Sequence, residues 1–248
     1  MRLKLTVAYD GSEFAGWQCQ PGGGTVQDAL QTAVKKLTGL QVAVHGAGRT
    51  DAGVHAIAQC AHVDVGDSRL PLSQWPAALN AHLPRAVRVM AVRRVPETFH
   101  ARYSAKGKIY RYTIWNAPVM PPLENKRAWH VPHAIDLDVL AEVCHLFEGR
   151  HNFSAFSAKR AGGPDNTVRT IASIRLRKTG PRIEITFRGE GFLYKMIRML
   201  TAAAVRCSTG RMSPADIPPR LADGSPKLHH VAPADGLILV RVLYSAAA

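Results

Sequence analysis

Arg49, Thr50 and Asp51 stand together in the stretch His45 to Ala56, HGAGRTDAGVHA, with Gly46 and Gly48 before them and Gly53 after. A guanidinium, a hydroxyl and a carboxylate in consecutive positions, framed by residues without side chains, suit chemistry better than packing. Glycine lets the backbone turn tightly or approach a ligand, and charged loops on a rigid scaffold are where binding and catalysis concentrate. A carboxylate acting as a nucleophile must be ionised and partly desolvated. Burial raises its pKa, and a neighbouring guanidinium lowers it again. Asp51 is therefore the candidate nucleophile, with Arg49 or another arginine keeping it charged. The same composition also suits a solvated surface loop.

Other constellations fail on spacing. Gly46-x-Gly48 is followed by Asp51 where a dinucleotide fingerprint needs a third glycine, and no phosphate-cradling G-x-x-x-x-G-K-[ST] occurs. Neither H-E-x-x-H nor G-x-S-x-G is present, and the 11 histidines share no metal-ligand spacing. Asp136 and Asp138 read as helix caps. No cofactor and no metal is expected. The 4 cysteines, Cys19, Cys60, Cys144 and Cys207, form no C-x-x-C pair and read as reduced, packed thiols.

Lysine and arginine number 32 against 18 acidic residues, for a net charge of +14 over 248 residues. That balance favours an extended polyanion, and nucleic acid in particular, as partner. The basic residues are dispersed rather than gathered beside an amphipathic helix, which argues against a membrane surface. Arg2, Lys4 and Asp10 interrupt any leader-like apolar run, and no stretch approaches the ~20 apolar residues of a spanning helix. The compartment expected is the cytoplasm or an equivalent reducing space.

The elements that must position the loop follow from periodicity. Leu3, Leu5, Val7 and Tyr9 alternate with polar neighbours as a strand with one buried face. Thr25 with Asp28 marks a capped helix carrying Val26, Leu30, Ala33, Val34 and Leu37 on one side, stopped by Gly39. Val42 to His45 and Gln59 to Val65 read as strands on either side of the loop. Pro71 to Leu79 reads as a helix with Leu72, Trp75 and Leu79 inward, and Val87 to Val95 as a strand.

Beyond residue 105, Lys108 to Asn116 sets Tyr110, Tyr112 and Ile114 on one strand face. Asp136 or Asp138 opens a helix, Thr170 to Lys178 and Arg182 to Arg188 form a hairpin, and Phe192 to Arg206 reads as a helix with Lys195 and Arg198 basic. Leu237 to Val242 closes the chain as a strand. The fold class expected is α+β: two similar α/β lobes, residues 1–105 and 106–248, with mostly antiparallel sheets and helices on one face. Tyr110, and Lys195 or Arg198, are the residues from other segments expected to face Asp51. Taken singly, Tyr110 also suits a core aromatic and Arg198 a phosphate contact or solvated helix face.

The loop GAGRTDAGVHA closely resembles the catalytic motif of the tRNA pseudouridine synthase A family. Tyr9-Asp10-Gly11 with Phe14-Ala15-Gly16-Trp17-Gln18, then Leu79 to Pro84, Phe99 to Ala105 and Lys108 to Tyr112, continue the likeness in order. Arg169-Thr170-Ile171, Gly191 to Arg198 and Ala232 to Leu237 carry it through the second half. Met199-Leu200-Thr201-Ala202 stands where the family usually has Asn-Ile-Val-Gly, Asn152 replaces a common aspartate, and residues 217–230 are short and proline-rich.

The resemblance implies a pseudouridine synthase fold with its active-site cleft between the lobes, and isomerisation of uridine at positions 38, 39 and 40 of the tRNA anticodon stem-loop. It implies Asp51 as the catalytic aspartate, Tyr110 packing on the target uracil, Arg198 pairing with Asp51, and Arg49 helping to hold the flipped-out nucleotide. It also implies a homodimer, tRNA as partner and no cofactor. Two rivals are an RNA-binding protein with RRM-like sheets and no catalysis, and an aspartate-nucleophile hydrolase or phosphotransferase. The first binds RNA and leaves it unmodified; the second needs a metal that chelation removes.

Overall fold

A computed structural model describes residues 1–158 and 166–245. The chain runs β1 (Arg2–Tyr9), α1 (Val26–Thr38), β2 (Val44–Gly46), β3 (His55–Asp64), α2 (Trp75–Asn80) and β4 (Val87–Val95). It continues β5 (Ala105–Trp115), β6 (Trp129–His130), α3 (Leu137–Leu146), β7 (Gly149–Asn152), β8 (Val168–Thr179), β9 (Arg182–Gly189), α4 (Met196–Ser208), α5 (Ile217–Asp223) and β10 (Leu237–Tyr244). Its contacts divide it into two units, Met1–Lys106 with Ile238–Ala248, and Gly107–Leu237. The architecture is α+β, with mostly antiparallel strand pairing.

In the first unit the strand order is β4-β1-β3-β10, with β2 also on β3. All these pairs are antiparallel except β3 with β10. Leu3, Leu5, Val7 and Tyr9 are buried and their neighbours half-buried, the alternation a one-sided strand requires. Thr25 and Asp28 form the full capping box, and Gly39 ends α1 in the left-handed region at φ 75°.

In the second unit the order is β5-β9-β8-β7, with β6 parallel on β5. Tyr110, Tyr112 and Ile114 are buried with Ile183, Ile185 and Phe187 of the paired strand. Helix α3 packs on α4 and on β8, and α5 on β7. Asp136, rather than Asp138, caps α3, accepting from the N–H groups of Asp138 and Val139. No helix among the described residues is long and apolar enough to cross a membrane.

Four details depart from the sequence reading. Leu72 is exposed at 39%, because residues 72–74 make a single 3-10 turn and Trp75 takes the inward place. Residues 192–195 lie outside α4. Lys195 sits at φ 59° as its N-cap, and a left-handed residue cannot continue a right-handed helix. Strand β3 begins at His55 rather than Gln59, extended by pairing of Ala56 with Tyr9. The closing strand, placed in the later lobe by position in the chain, returns to the first unit through Ile238 and Leu239 beside His55 and Ala56.

The family departures are accommodated locally. Met199 to Ala202 are buried in α4, where the Thr201 hydroxyl donates to the Ile197 carbonyl at 2.9 Å. Asn152 Oδ1 accepts from Ser154 N–H at 3.1 Å and the Thr167 hydroxyl at 2.7 Å. The proline-rich segment opens with α5, which turns Ile217 and Leu221 inward and ends at Asp223.

A histidine cluster sits on the first sheet. His62 is 2% exposed, stacks on His45 at 4.9 Å, meets His100 edge-on at 4.6 Å, and accepts the Ala101 N–H at Nδ1. Burial, then His100, His45 and Arg2, push its pKa down from 6.5 to about 4, against the pull of Asp64. The unfolded chain thus takes up this proton before the folded one does, so stability falls as pH drops from 6.5 towards 4. The His62 imidazole, followed by NMR, is expected to titrate near 4 with a parallel fall in the urea midpoint. A midpoint at the ordinary histidine value contradicts this packing.

Candidate active site

The loop at residues 47–54 is fixed to the strands that deliver it. Ala47 N–H donates to the Cys60 carbonyl at 2.7 Å, and Gln59, fully buried, donates its side-chain amide to the Gly48 carbonyl at 2.9 Å. Thr50 is held at two points. Its carbonyl accepts the Trp17 N–H at 3.0 Å, and its hydroxyl shares a buried 2.9 Å hydrogen bond with the Tyr9 hydroxyl. Burial pushes the Tyr9 phenol up to about 12, opposed by its contacts with Thr50 and Gln59, so it stays protonated at neutral pH.

Asp51 follows directly and is half-buried. Its carbonyl accepts the Val54 N–H at 3.2 Å, closing a turn in which Gly53 takes φ 81°. A glycine is favoured there because the third residue of such a turn needs positive φ. Gly16 allows the neighbouring loop to lie against this backbone: a Cβ on it would stand 2.7 Å from the Thr50 carbonyl oxygen. Arg49 points to the exposed side, where its Nε donates to Gln18 Oε1 at 3.0 Å. Gly46, read from sequence as freedom for the loop, instead lies against the Trp17 indole.

Tyr110, Lys195 and Arg198 belong to the second unit. Tyr110 is 8% exposed and meets Phe192 edge-on, with ring centroids 5.4 Å apart. Arg198, in the first turn of α4, donates from Nε to the Ala232 carbonyl at 2.8 Å, and Ala232 N–H returns a bond to the Arg198 carbonyl. The Tyr112 hydroxyl donates to the Pro233 carbonyl at 2.7 Å. The segment at residues 232–236 is thus tied to β5 at one end and α4 at the other. Lys195, expected beside Arg198 on a helix face, sits before the helix with its ammonium 5.2 Å from the Tyr194 ring.

A family model described as tRNA pseudouridine synthase matches residues 5–104 and 143–245, both halves of the chain. The chain belongs to the tRNA pseudouridine synthase family. A tRNA pseudouridine synthase A from Akkermansia muciniphila is 46% identical, over 98% of this chain and 95% of the relative. One from Solidesulfovibrio magneticus is also 46% identical, over 99% and 92%, and one from Brevibacillus brevis 37%, over 98% and 99%. Among solved structures, a chain of a Cbf5-Nop10-Gar1 complex overlaps 95% of this chain and 57% of its own. Its TM-score of 0.36 and 13% identity are too low to inform the fold.

The synthase is therefore an isomerase acting on uridine in tRNA. Tyr9, Gln18, Gln59 and Trp17 surround the Asp51 loop without having been assigned a task from sequence. Tyr9 is the alternation's last inward residue and Gln59 a polar side chain inside a strand, but their meeting with Thr50 and Gly48 is long-range. The Tyr9 to Thr50 bond yields a direct test. Tyr9→Phe and Thr50→Val should each destabilise the synthase by about 1–3 kcal/mol, because each leaves a buried hydroxyl without its partner. The double variant should cost little more than either alone, as measured by urea unfolding. Additive losses would show that the two hydroxyls do not act as a pair.

Proposed function

We propose that this synthase converts uridine to pseudouridine at positions 38, 39 and 40 of the tRNA anticodon stem-loop, with Asp51 as the covalent participant. The observation that carries the reading is the placement of Asp51. It is a half-buried carboxylate between a threonine held at two points and a glycine-closed turn. Such preorganisation supplies a charged group in position without reorganisation at the moment of reaction.

The chemistry balances without a redox partner or hydrolytic water. The N1–C1′ bond breaks, the uracil turns, a C5–C1′ bond forms, and a proton leaves C5 while one is gained at N1. In this reading Tyr110 stacks on the uracil, and its phenol is placed to take part in proton removal at C5. Arg198 pairs with the Asp51 carboxylate, and Arg49 holds the flipped nucleotide. A base in a stem must leave its stack at a cost of a few kcal/mol, which stacking and basic contacts offset. The synthase works as a homodimer in the cytoplasm, and the anticodon arm is the part of the tRNA it engages.

Asp51→Asn should abolish product while leaving tRNA affinity within about tenfold, the signature of a group used in chemistry rather than docking. Tritium released from tRNA labelled at uracil C5 measures the turnover, and filter binding measures the affinity. Undiminished release by the variant would remove Asp51 from the mechanism.

A further inference from the structure

The sheet of the second unit has two unlike faces. One carries Tyr112, Ile185 and Phe187 into the core. On the other, the register sets Arg111, Thr186 and Arg175 in one row across β5, β9 and β8, with Thr113, Glu184 and Arg177 in the next. Arg188, paired with Ile109 and Ser173, lies in the adjoining row on the same face. Glu184 is the one carboxylate in β5, β7, β8 and β9.

Two nearby acids, Glu184 and Glu124, are already engaged by other arginines. Arg111 Nε lies 3.6 Å from Glu184 Oε1, and Arg182 is held by Glu124. Arg175, Arg177 and Arg188 are all exposed, and among the described residues none has a side-chain hydrogen bond or a carboxylate partner. Strand spacing starts neighbouring arginines of this group about 7–8 Å apart. That is within a Debye length of about 8 Å at physiological salt, so their repulsion is only partly screened. An ordinary solvated sheet face mixes signs, because like charges on neighbouring strands destabilise the sheet.

We propose that this face is a phosphate-contacting surface for RNA, gripping the tRNA backbone without reading its sequence. A guanidinium matches two phosphate oxygens with paired N–H groups, which a lysine cannot do. A run of backbone phosphates supplies the negative charge that the strands themselves lack. The inference rests on tRNA as the substrate, but needs neither Asp51 nor positions 38 to 40.

The test compares wild type, Arg175→Gln/Arg177→Gln/Arg188→Gln and the same three positions changed to Lys. Unmodified tRNA is titrated over a range of KCl, and kcat and KM are measured alongside. The glutamine variant should raise Kd and KM by tenfold or more with kcat within twofold. It should also flatten the slope of log affinity against log salt by about two to three, since each lost phosphate contact removes 0.7 to 0.9. The lysine variant should recover most of the salt slope and less of the affinity. Removing mutual repulsion should leave the melting temperature of the glutamine variant no lower than that of wild type. Unchanged Kd and salt slope would overturn the proposal, as would a fall in kcat with KM and slope intact. A wild type that binds tRNA with the full slope and makes no pseudouridine would instead sink the functional reading and leave this surface standing.

Discussion

Thr50 is the residue on which the site depends. It is 7% exposed, and both of its polar handles are used by partners distant in sequence, the hydroxyl by Tyr9 and the carbonyl by Trp17. The next residue has little freedom left. Tyr9 reaches Thr50 because it is the last inward residue of a strictly alternating strand, and Trp17 because Gly16 lets its loop lie against the Thr50 to Ala52 backbone. A pattern of period two in the first residues of the chain thus sets the position of a carboxylate some forty residues later. A carboxylate aligned in advance loses no free energy to ordering at the moment of reaction, as the covalent role proposed for Asp51 requires.

The second unit shows the same economy of anchoring. Arg198 uses Nε on the Ala232 carbonyl, and the same residue answers with its N–H to the Arg198 carbonyl, so helix and segment locate each other. Tyr112 and Gly236 complete the clamp from β5. A Cβ on Gly236 would stand 2.7 Å from both the Thr113 oxygen and the Tyr112 ring, so only glycine lets the segment pass this closely. Tyr110 lies within a strand and Arg198 within the first turn of a helix, so neither sits on a loop.

Local patterns made much of this legible in the sequence. The β1 alternation, the Thr25 and Asp28 capping box, the limits of β4 and the inward Tyr110, Tyr112 and Ile114 all follow from spacing and propensity. What local patterns could not supply were tertiary choices. Leu72 is as apolar as Trp75, yet it lies in the 3-10 turn before α2 and stays exposed while Trp75 is buried. Lys195 has good helix propensity and still takes a left-handed conformation, with the chain making a turn from Leu193 to Met196 before α4 begins. Strand β10 follows the second unit in sequence and pairs with β3 of the first, a contact that no window of neighbouring residues contains. The Asp51 loop stood out by its composition, whereas the hydrogen bonds that hold it did not.

The net charge of +14 is unevenly used: acids pair with Arg2, Arg182 and Arg220 elsewhere and with Arg111 on the second sheet, while Arg175, Arg177 and Arg188 share that sheet's face without a carboxylate partner. In the reading proposed here, charge of that kind holds the RNA and the Asp51 loop acts on it. The most direct measurement of the central claim is chemical mapping of pseudouridine, residue by residue, in unmodified tRNA incubated with the purified synthase. The expected result is new pseudouridine at positions 38, 39 and 40 and at no other uridine. Modification confined to another arm of the tRNA, or RNA bound and returned unchanged, would contradict it.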